Sequence, residues 1–527
     1  MYVRDWMARR AILSPDKLAI IDAATGAGLT YRKLDERATR LANFWREGCG
    51  VRSGDRVAVL AMNRAEILEA FFAAAKLTAI LVPLNYRLAQ PELQYILEDC
   101  EPQVLLYEGD FQPVVARLRQ QVAIKHYLAL DGSEGRDFSY EQALAGSKVD
   151  PVEVERFDAE VPALIIYTSG TTGRFKGALL SHRMLTWNSI NTNLGWDLTS
   201  ADMTTAHAPL FHTGGFNVLT LPLLHVGGTV VVMRSFDATR TLEMIEQYRC
   251  TVFFGVPTMF QMMLESPRFG DTDFSSMRFL ISGGAPCPIP LMEAFQRRGV
   301  AFTQGFGLTE VGPNCFRLGL EDAVRKAGSI GLPAFHSQAR IVDERGRDVP
   351  RGEVGELILS GLHVCSGYWQ NSAATEAALV DGWFYTGDLA RQDAEGYYYI
   401  VGRTKDLIIS GGENIYPAEV EAVLHTHPAV ASAALVGISD PKWGETPVAA
   451  VITRQGHSVT SQQIIDYCSD KLARFKIPRQ IFFVNEFPLS GSGKVAKLVL
   501  KAEIEKDRMN GSQAVTSIVG EIFPEKN

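Results

Sequence analysis

Four hydroxyls (Thr168, Ser169, Thr171, Thr172), two glycines (Gly170, Gly173) and the ammonium of Lys176 crowd into the stretch YTSGTTGRFKG, Tyr167–Gly177. Glycine lets a backbone approach a ligand closely. Successive amides and hydroxyls in a concave loop form an anion nest, and a lysine adds the countercharge. The chemistry on offer is the grip of a phosphate. A Walker A loop needs a hydroxyl residue directly after its lysine and then a helix. Here Lys176 is followed by GALLS, a strand pattern. The same composition also suits a plain Gly/Ser/Thr turn, so support must come from elsewhere in the chain.

Four further segments offer it. QGFGLTE, Gln304–Glu310, sets Thr309 and the carboxylate of Glu310 beside two glycines. Hard oxygens of this kind near phosphates suit Mg2+, which keeps several waters. YTGDL presents Asp388 in a tight turn, where a carboxylate can accept both hydroxyls of a ribose. GRTKDLIISGGENIYP carries Arg403, Asp406 and the pair Gly411–Gly412, and PLSGSGKVAK carries Lys494 on a glycine-rich loop. Each is bland in isolation: a lone Gly-Lys turn is usually solvated surface, and an Asp after Gly is usually a cap. His425 and His427 have no third ligand nearby in sequence and read as surface.

These loops need rigid elements to aim them. DRVAVLA, NRAEILEAFFAAAKL and AILVPLN read as strand, helix and strand, as do GTVVVM, TLEMIEQYR and TVFFGV. That order predicts parallel sheets with crossover helices. ALIIY before the hydroxyl-rich loop reads as a buried strand. Beyond about residue 402 the units shorten. PAEVEAVLHTHP is a helix with Pro417 in its first turn and Glu419 and Glu421 near its positive end. A strand (ASAALVGIS), a helix (SQQIIDYCSDKLARF), a strand (QIFFVNEF) and a last helix (GKVAKLVLKAEIEK) follow. The expectation is a large α/β domain, residues 1–405, with mixed, mostly parallel sheets, and a small α+β domain, residues 406–527.

Composition narrows the function. The chain has 527 residues, enough for about two to four domains. Its net charge of −8 and lack of a basic block argue against nucleic acid as a partner. Seven scattered cysteines without a C-x-x-C pair read as reduced thiols, which suits the cytoplasm. The start of the chain lacks the apolar core of a secretion signal, and the most apolar run is too broken to span a bilayer. A peripheral membrane contact and a homodimer stay open.

Taken together, in this order and spacing, YTSGTTGRFKG, YTGDL, GRTKDLIISGGENIYPAEVE and SGSGK resemble the adenylate-forming superfamily of acyl-CoA synthetases, adenylation domains and luciferases. The resemblance runs from LTYRKLDERATRLANFW to GSGKVAK and looks closest to fatty-acyl- and aryl-CoA ligases. It implies that ATP and a carboxylic acid give an acyl-adenylate and pyrophosphate. The small domain then rotates, and the thiol of coenzyme A displaces AMP.

The resemblance also implies roles. Thr168, Ser169, Gly170, Thr171, Thr172, Gly173 and Lys176 would hold the β- and γ-phosphates. Thr309 would meet the α-phosphate and Glu310 would bind Mg2+. Gly283, Gly284 and Ala285, with Gly305, Phe306 and Gly307, would flank the adenine; Asp388 and Arg403 would hold the ribose. Lys494 would be the adenylation lysine, a cation placed where the transition state gathers negative charge. Asp406 would be the hinge. Coenzyme A would meet Trp443, Gly411, Gly412, Arg87, Lys476 and Arg479. Two departures stand out: Phe306 replaces the family's tyrosine, and Lys497 replaces an arginine.

The acid pocket would be built by Trp187, His212, Thr213, Gly214, Gly215, Val256 and Pro313, with Gly283, Gly305 and Gly307. Recurring glycine suggests an open floor, and no charged side chain appears. That suits a medium- or long-chain fatty acid, with an aryl or arylpropenoic acid as the alternative. An acyl-AMP ligase loading a carrier protein, a luciferase-like oxygenase and a non-catalytic nucleotide binder are the rival readings.

Overall fold

The computed structural model describes residues 4–132, 137–153, 157–169, 175–489 and 495–509. Among these, the strands form five sheets. The largest places Phe138–Ser139, His126–Ala129, Val104–Tyr107, Arg56–Leu60, Ile80–Pro83, Pro162–Ser169 and Phe175–Ser181 side by side. All its pairs are parallel except the last. The helix Ala65–Leu77 crosses over from Arg56–Leu60 to Ile80–Pro83. Its residues from Ile67 to Leu77 are all buried, which explains a helix apolar nearly all round.

A second sheet orders Met203–Ala206, Thr229–Val232, Leu18–Asp22 and Gly28–Thr30. A third runs Val252–Gly255, Phe279–Ser282 and Phe302–Phe306 in parallel and ends in two short antiparallel strands. GTVVVM and TVFFGV therefore do form strands around a helix, Ala238–Gln247, but they lie in different sheets. The alternation is a local signal and does not fix which sheet a strand joins. A fourth sheet, between residues 338 and 403, is antiparallel throughout, a change of character that the strand–helix reading did not anticipate.

The fifth sheet orders Glu413–Ile415, Ile408–Ser410, Gly444–Thr453 and Val430–Asp440, with Gln480–Phe483 also beside Gly444–Thr453. Helices Pro417–His425, Ser461–Ser469 and Lys497–Met509 accompany it, so the helix expected after SQQIIDY is shorter than its pattern. Two apolar clusters between Ile408 and Ile504 make its core, and three others serve the residues before Ile400. Among the described residues no helix is long and apolar enough to cross a membrane. All seven cysteines are free and buried, and burial pushes thiols such as Cys49 and Cys250 up to about 12, which leaves them inert at neutral pH.

Candidate active site

Two paired strands bracket the hydroxyl-rich stretch. Strands Pro162–Ser169 and Phe175–Ser181 pair antiparallel, with Thr168 opposite Lys176 and Ser169 opposite Phe175. The tip residues Gly170, Thr171, Thr172 and Gly173 lie outside the described residues. Its base is firmly held. Tyr167 Oη donates to the Asp99 carboxylate, and Trp369 Nε1 donates to the Asp99 carbonyl at 3.0 Å. Gly177 is required here: a Cβ on it would stand 2.6 Å from Ile165 Cγ2 and 3.3 Å from Trp369 Cβ.

Residues 365–369 run along the outer edge of this hairpin. Ser366 N donates to Leu179 O at 3.1 Å, Leu179 N to Gly367 O at 2.9 Å, and Trp369 N to Gly177 O at 2.7 Å. The same segment reaches the Thr309–Val311 turn, where Cys365 N donates to Glu310 O at 2.8 Å. Tyr368 Oη donates to Glu310 Oε1 at 3.0 Å, and Lys176 Nζ lies 5.4 Å from the centre of the Tyr368 ring. His363 donates its Nδ1 hydrogen to the Val311 carbonyl. That ring is buried, and burial pulls its pKa down, so it braces the turn as a neutral imidazole. Thr309, in the same turn, is buried as well.

Among the described residues no cluster of three or more His, Cys, Asp or Glu could cage a metal. One carboxylate, Glu310, with the hydroxyl of Thr309 next to it, is instead the sparse oxygen set that fits Mg2+ carried largely by water and phosphates.

Asp388 and Arg403 face each other across the antiparallel pair Trp383–Gln392 and Tyr398–Arg403. Arg403 Nε stands 2.9 Å from Asp388 Oδ1, with the carboxylate 4% exposed and the guanidinium 38%. Gln304 Oε1 accepts from Cys287 N at 3.1 Å and ties the loop of Gly283, Gly284 and Ala285 to the strand ending in Phe306. Gly284 and Ala285 are exposed. Phe306 packs edge-on against Phe316, with centroids 5.8 Å apart.

His212 caps the short helix Thr213–Asn217, its Nδ1 accepting from Gly214 N at 3.1 Å. A ring that accepts at Nδ1 carries its hydrogen on Nε2 when neutral. The loop before it is held by Asn63, whose Nδ2 donates to Ala208 O at 2.9 Å and whose Oδ1 accepts from Leu210 N at 2.8 Å. Thr213 Oγ1 accepts from Asn217 Nδ2 at 3.0 Å. Val256 precedes the helix Pro257–Glu265 as its cap residue.

The glycines do not leave the floor open. A Cβ on Gly215 would strike the carbonyls of Pro209 and Ala208 at 2.2 and 2.5 Å, and one on Gly307 would strike the Pro313 backbone at 2.4 Å. Gly214 and Gly283 make room for an aromatic ring instead. Phe254 Cε1 lies 3.4 Å from the Cβ position of Gly214, and Cε2 lies 3.1 Å from that of Gly283. The cavity beside Phe254, Gly214, Gly215 and His207 holds only about 10 Å3, about the space of one water. Gly305 adjoins this group, its carbonyl 3.6 Å from the Cβ position of Gly283. Trp187 packs edge-on against His336, centroids 4.7 Å apart.

In the small domain, Trp443 stacks over Gly411, whose Cβ position is 2.7 Å from Trp443 Cε3, and Gly411 N donates to Trp443 O at 2.7 Å. Arg479 and Lys442 lie over the indole at 5.2 and 4.9 Å. Gly412 follows with φ +86°. Lys476 is engaged by both oxygens of Glu419, at 2.7 and 2.8 Å. Arg87 belongs to a different neighbourhood, over the rings of Tyr86 and Phe211 next to His212. Asp406 ends the turn Thr404–Asp406, between the fourth and fifth sheets. Lys494 lies outside the described residues, but the ends of its loop are joined by a bridge between Leu489 and Val495. Lys497 bonds Glu421 at 2.6 Å and anchors the helix that follows. His425 and His427 are half-buried; His425 Nδ1 donates to Glu421 O at 2.6 Å, and His427 packs edge-on against Tyr467.

Tyr368, His363, Asn63 and Phe254 support the candidate site and were not singled out from the sequence; none stands in a stretch of unusual composition, and only the fold brings them in. Gln304 opens the quoted QGFGLTE, but its tie to Cys287 N is visible only in the fold.

A family model described as AMP-binding enzyme matches residues 7–369, and one described as AMP-binding enzyme C-terminal domain matches residues 419–494. A feruloyl-CoA synthase from an Amycolatopsis species is 41% identical, covering 93% of this chain and 97% of its own. An indoleacetate–CoA ligase of Aromatoleum aromaticum is 40% identical, over 94% and 97%. A long-chain-fatty-acid–CoA ligase of Mycobacterium tuberculosis is 35% identical, over 94% and 98%. The crystal structure of ATP-bound MatB from Rhodopseudomonas palustris superimposes with a TM-score of 0.88 at 33% identity, over 96% and 100%.

Proposed function

Because the chain belongs to the AMP-binding enzyme family, we propose that it is an ATP-dependent acid–CoA ligase whose acid is aryl or arylpropenoic. The observation that carries the ATP half is the meeting of the Lys176 hairpin with the Thr309–Glu310 turn around Tyr368. A cation and a carboxylate converge there on one aromatic ring. In this reading the tip and Lys176 hold the phosphates that leave as pyrophosphate, and Thr309 meets the α-phosphate. Mg2+, held through Glu310, would neutralise phosphate charge. Asp388 would accept the ribose hydroxyls while Arg403 keeps its carboxylate in place. Lys494 would stabilise the charge shared between the attacking carboxylate and the α-phosphoryl oxygens.

Phe254 supports the choice of acid. Its ring fills the space between Gly214 and Gly283, and in this reading it bounds the acid slot near His212. A short, flat acid fits such a slot better than a long alkyl chain. The relatives named for feruloyl and indoleacetate substrates share more sequence with this chain than the relative named for long-chain fatty acids. His212 Nε2–H is a donor suited to the acid's carboxylate. Gly283–Ala285 and Phe306 would flank the adenine.

The division at residues 405 and 406, with Asp406 as the hinge, follows the separate cores. Trp443, Gly411 and Arg479 would receive the coenzyme A nucleotide after the small domain turns, and an indole with two cations within reach of its ring suits a nucleotide carrying phosphates. Arg87 stands beside Phe211, at the large domain's side of that route. The experiment that tests the two-step reading is Lys494→Ala. It should abolish pyrophosphate release yet spare thioester formation from supplied acyl-AMP. Equal loss of both halves would refute the role given to Lys494.

A further inference from the structure

We propose that Tyr368 is a positioning residue that holds Glu310 and Lys176 apart, and each in place, before nucleotide and metal arrive. The inference rests on the reading of Glu310 as the Mg2+ carboxylate and of Lys176 as a phosphate ligand.

A carboxylate can only accept, so the Tyr368 hydroxyl donates to Glu310 Oε1 at 3.0 Å. A phenol that donates to a carboxylate keeps its proton and stays neutral. The other end of the contact is the ring face. At 5.4 Å from the centroid, Lys176 Nζ is within cation–π reach. Among the described residues Lys176 enters no ion pair. A cation and a carboxylate this close to one aromatic ring would otherwise tend to collapse on each other. The neutral ring leaves both charges available, one to phosphate and one to metal.

The tyrosine is itself fixed on every side. Its backbone bridges Ala178, two residues beyond Lys176. Its N–H donates to Thr375 Oγ1 at 2.9 Å. Gly367 before it has φ +122°, and a Cβ there would meet Thr375 Cγ2 at 2.5 Å, so only glycine allows this approach. Cys365 of the same segment holds the Glu310 backbone. One stretch of five residues thus fixes Glu310 by main chain and by side chain.

The test is equilibrium binding of α,β-methylene-ATP by calorimetry, with and without Mg2+, for the wild type, Tyr368→Phe, Glu310→Gln and the double variant. Wild-type binding should tighten when Mg2+ is added. Tyr368→Phe keeps the ring and loses the donor, so the Mg2+-dependent tightening should shrink by about tenfold while metal-free affinity holds. On the Glu310→Gln background the same change should add nothing to the Mg2+ effect. Tyr368→Leu, which also removes the ring, should weaken metal-free binding. If Tyr368→Phe tightens with Mg2+ as the wild type does, and only its melting temperature moves, the positioning role is wrong. A wild type that gains nothing from Mg2+ would overturn the reading of Glu310 and this proposal with it. The Tyr368→Leu and double variants keep the test decisive if one single variant misfolds.

Discussion

Arg403 Nε meets Asp388 Oδ1 at 2.9 Å across an antiparallel strand pair, with the carboxylate almost fully buried and the guanidinium partly exposed. Register, not sequence proximity, creates the pair: the two residues are opposed on strands joined by a turn. The arginine neutralises a buried charge and leaves its own outer face to solvent or ligand.

Asp388→Asn should therefore weaken AMP and ATP together, because it removes the acceptor charge proposed for the ribose. A charge-assisted hydrogen bond is worth enough to expect about a tenfold or greater loss. Calorimetric titration with AMP checks this without any turnover. Unchanged AMP affinity would remove Asp388 from the nucleotide site.

Phe254→Ala should lengthen the acid slot. The ratio of kcat/KM for decanoate over ferulate should rise by about tenfold or more, since each methylene accommodated in an apolar pocket counts for about that much. Competition between the two acids in one reaction gives the ratio directly. A ratio that stays fixed would mean that Phe254 does not bound the acid.

Trp443→Ala and Arg479→Ala should raise the KM for coenzyme A several-fold while the KM for ATP moves less. Steady-state titration of each substrate at saturation of the others separates the two. If the ATP term moves more, the indole belongs to the nucleotide half-reaction.

The buried histidines predict an acid-labile fold. Burial pulls His182, His207 and His225 down to about 4. A base with a folded pKa below its unfolded one binds fewer protons when folded. Its contribution is fully present above about pH 6.5 and is lost as pH falls toward 4. At pH 5 each would cost about 2 kcal/mol. The melting temperature should fall steeply between pH 6.5 and 4.5, and His207→Phe should flatten that slope. A melting temperature constant over this range would contradict the assignment.

Much of this was legible in the sequence because glycine, hydroxyl and charge cluster where loops must hold phosphate. The strand after Lys176 followed from GALLS, and the helix at Pro417 from its proline and the glutamates near its positive end. What escaped was placement. Tyr368 sits far along the chain from both Lys176 and Glu310, and only pairing of its segment with Phe175–Ser181 brings the three together. The open floor expected from the glycines fails for a related reason. Sequence shows that a side chain is missing, but only the fold shows that Phe254 and the Pro209 and Pro313 backbones fill the space. That filled space, together with relatives named for feruloyl and indoleacetate substrates, is why the aryl alternative is proposed in place of the fatty-acid expectation.

The most direct test is pyrophosphate release from purified protein with ATP, Mg2+ and a panel running from acetate to palmitate and from benzoate to ferulate and indoleacetate, followed by mass-spectrometric detection of the thioester after coenzyme A is added. The account predicts release with aryl or arylpropenoic acids above all and the matching acyl-CoA as product. Pyrophosphate release with no acid on the panel, or adenylates that coenzyme A never captures, would contradict it.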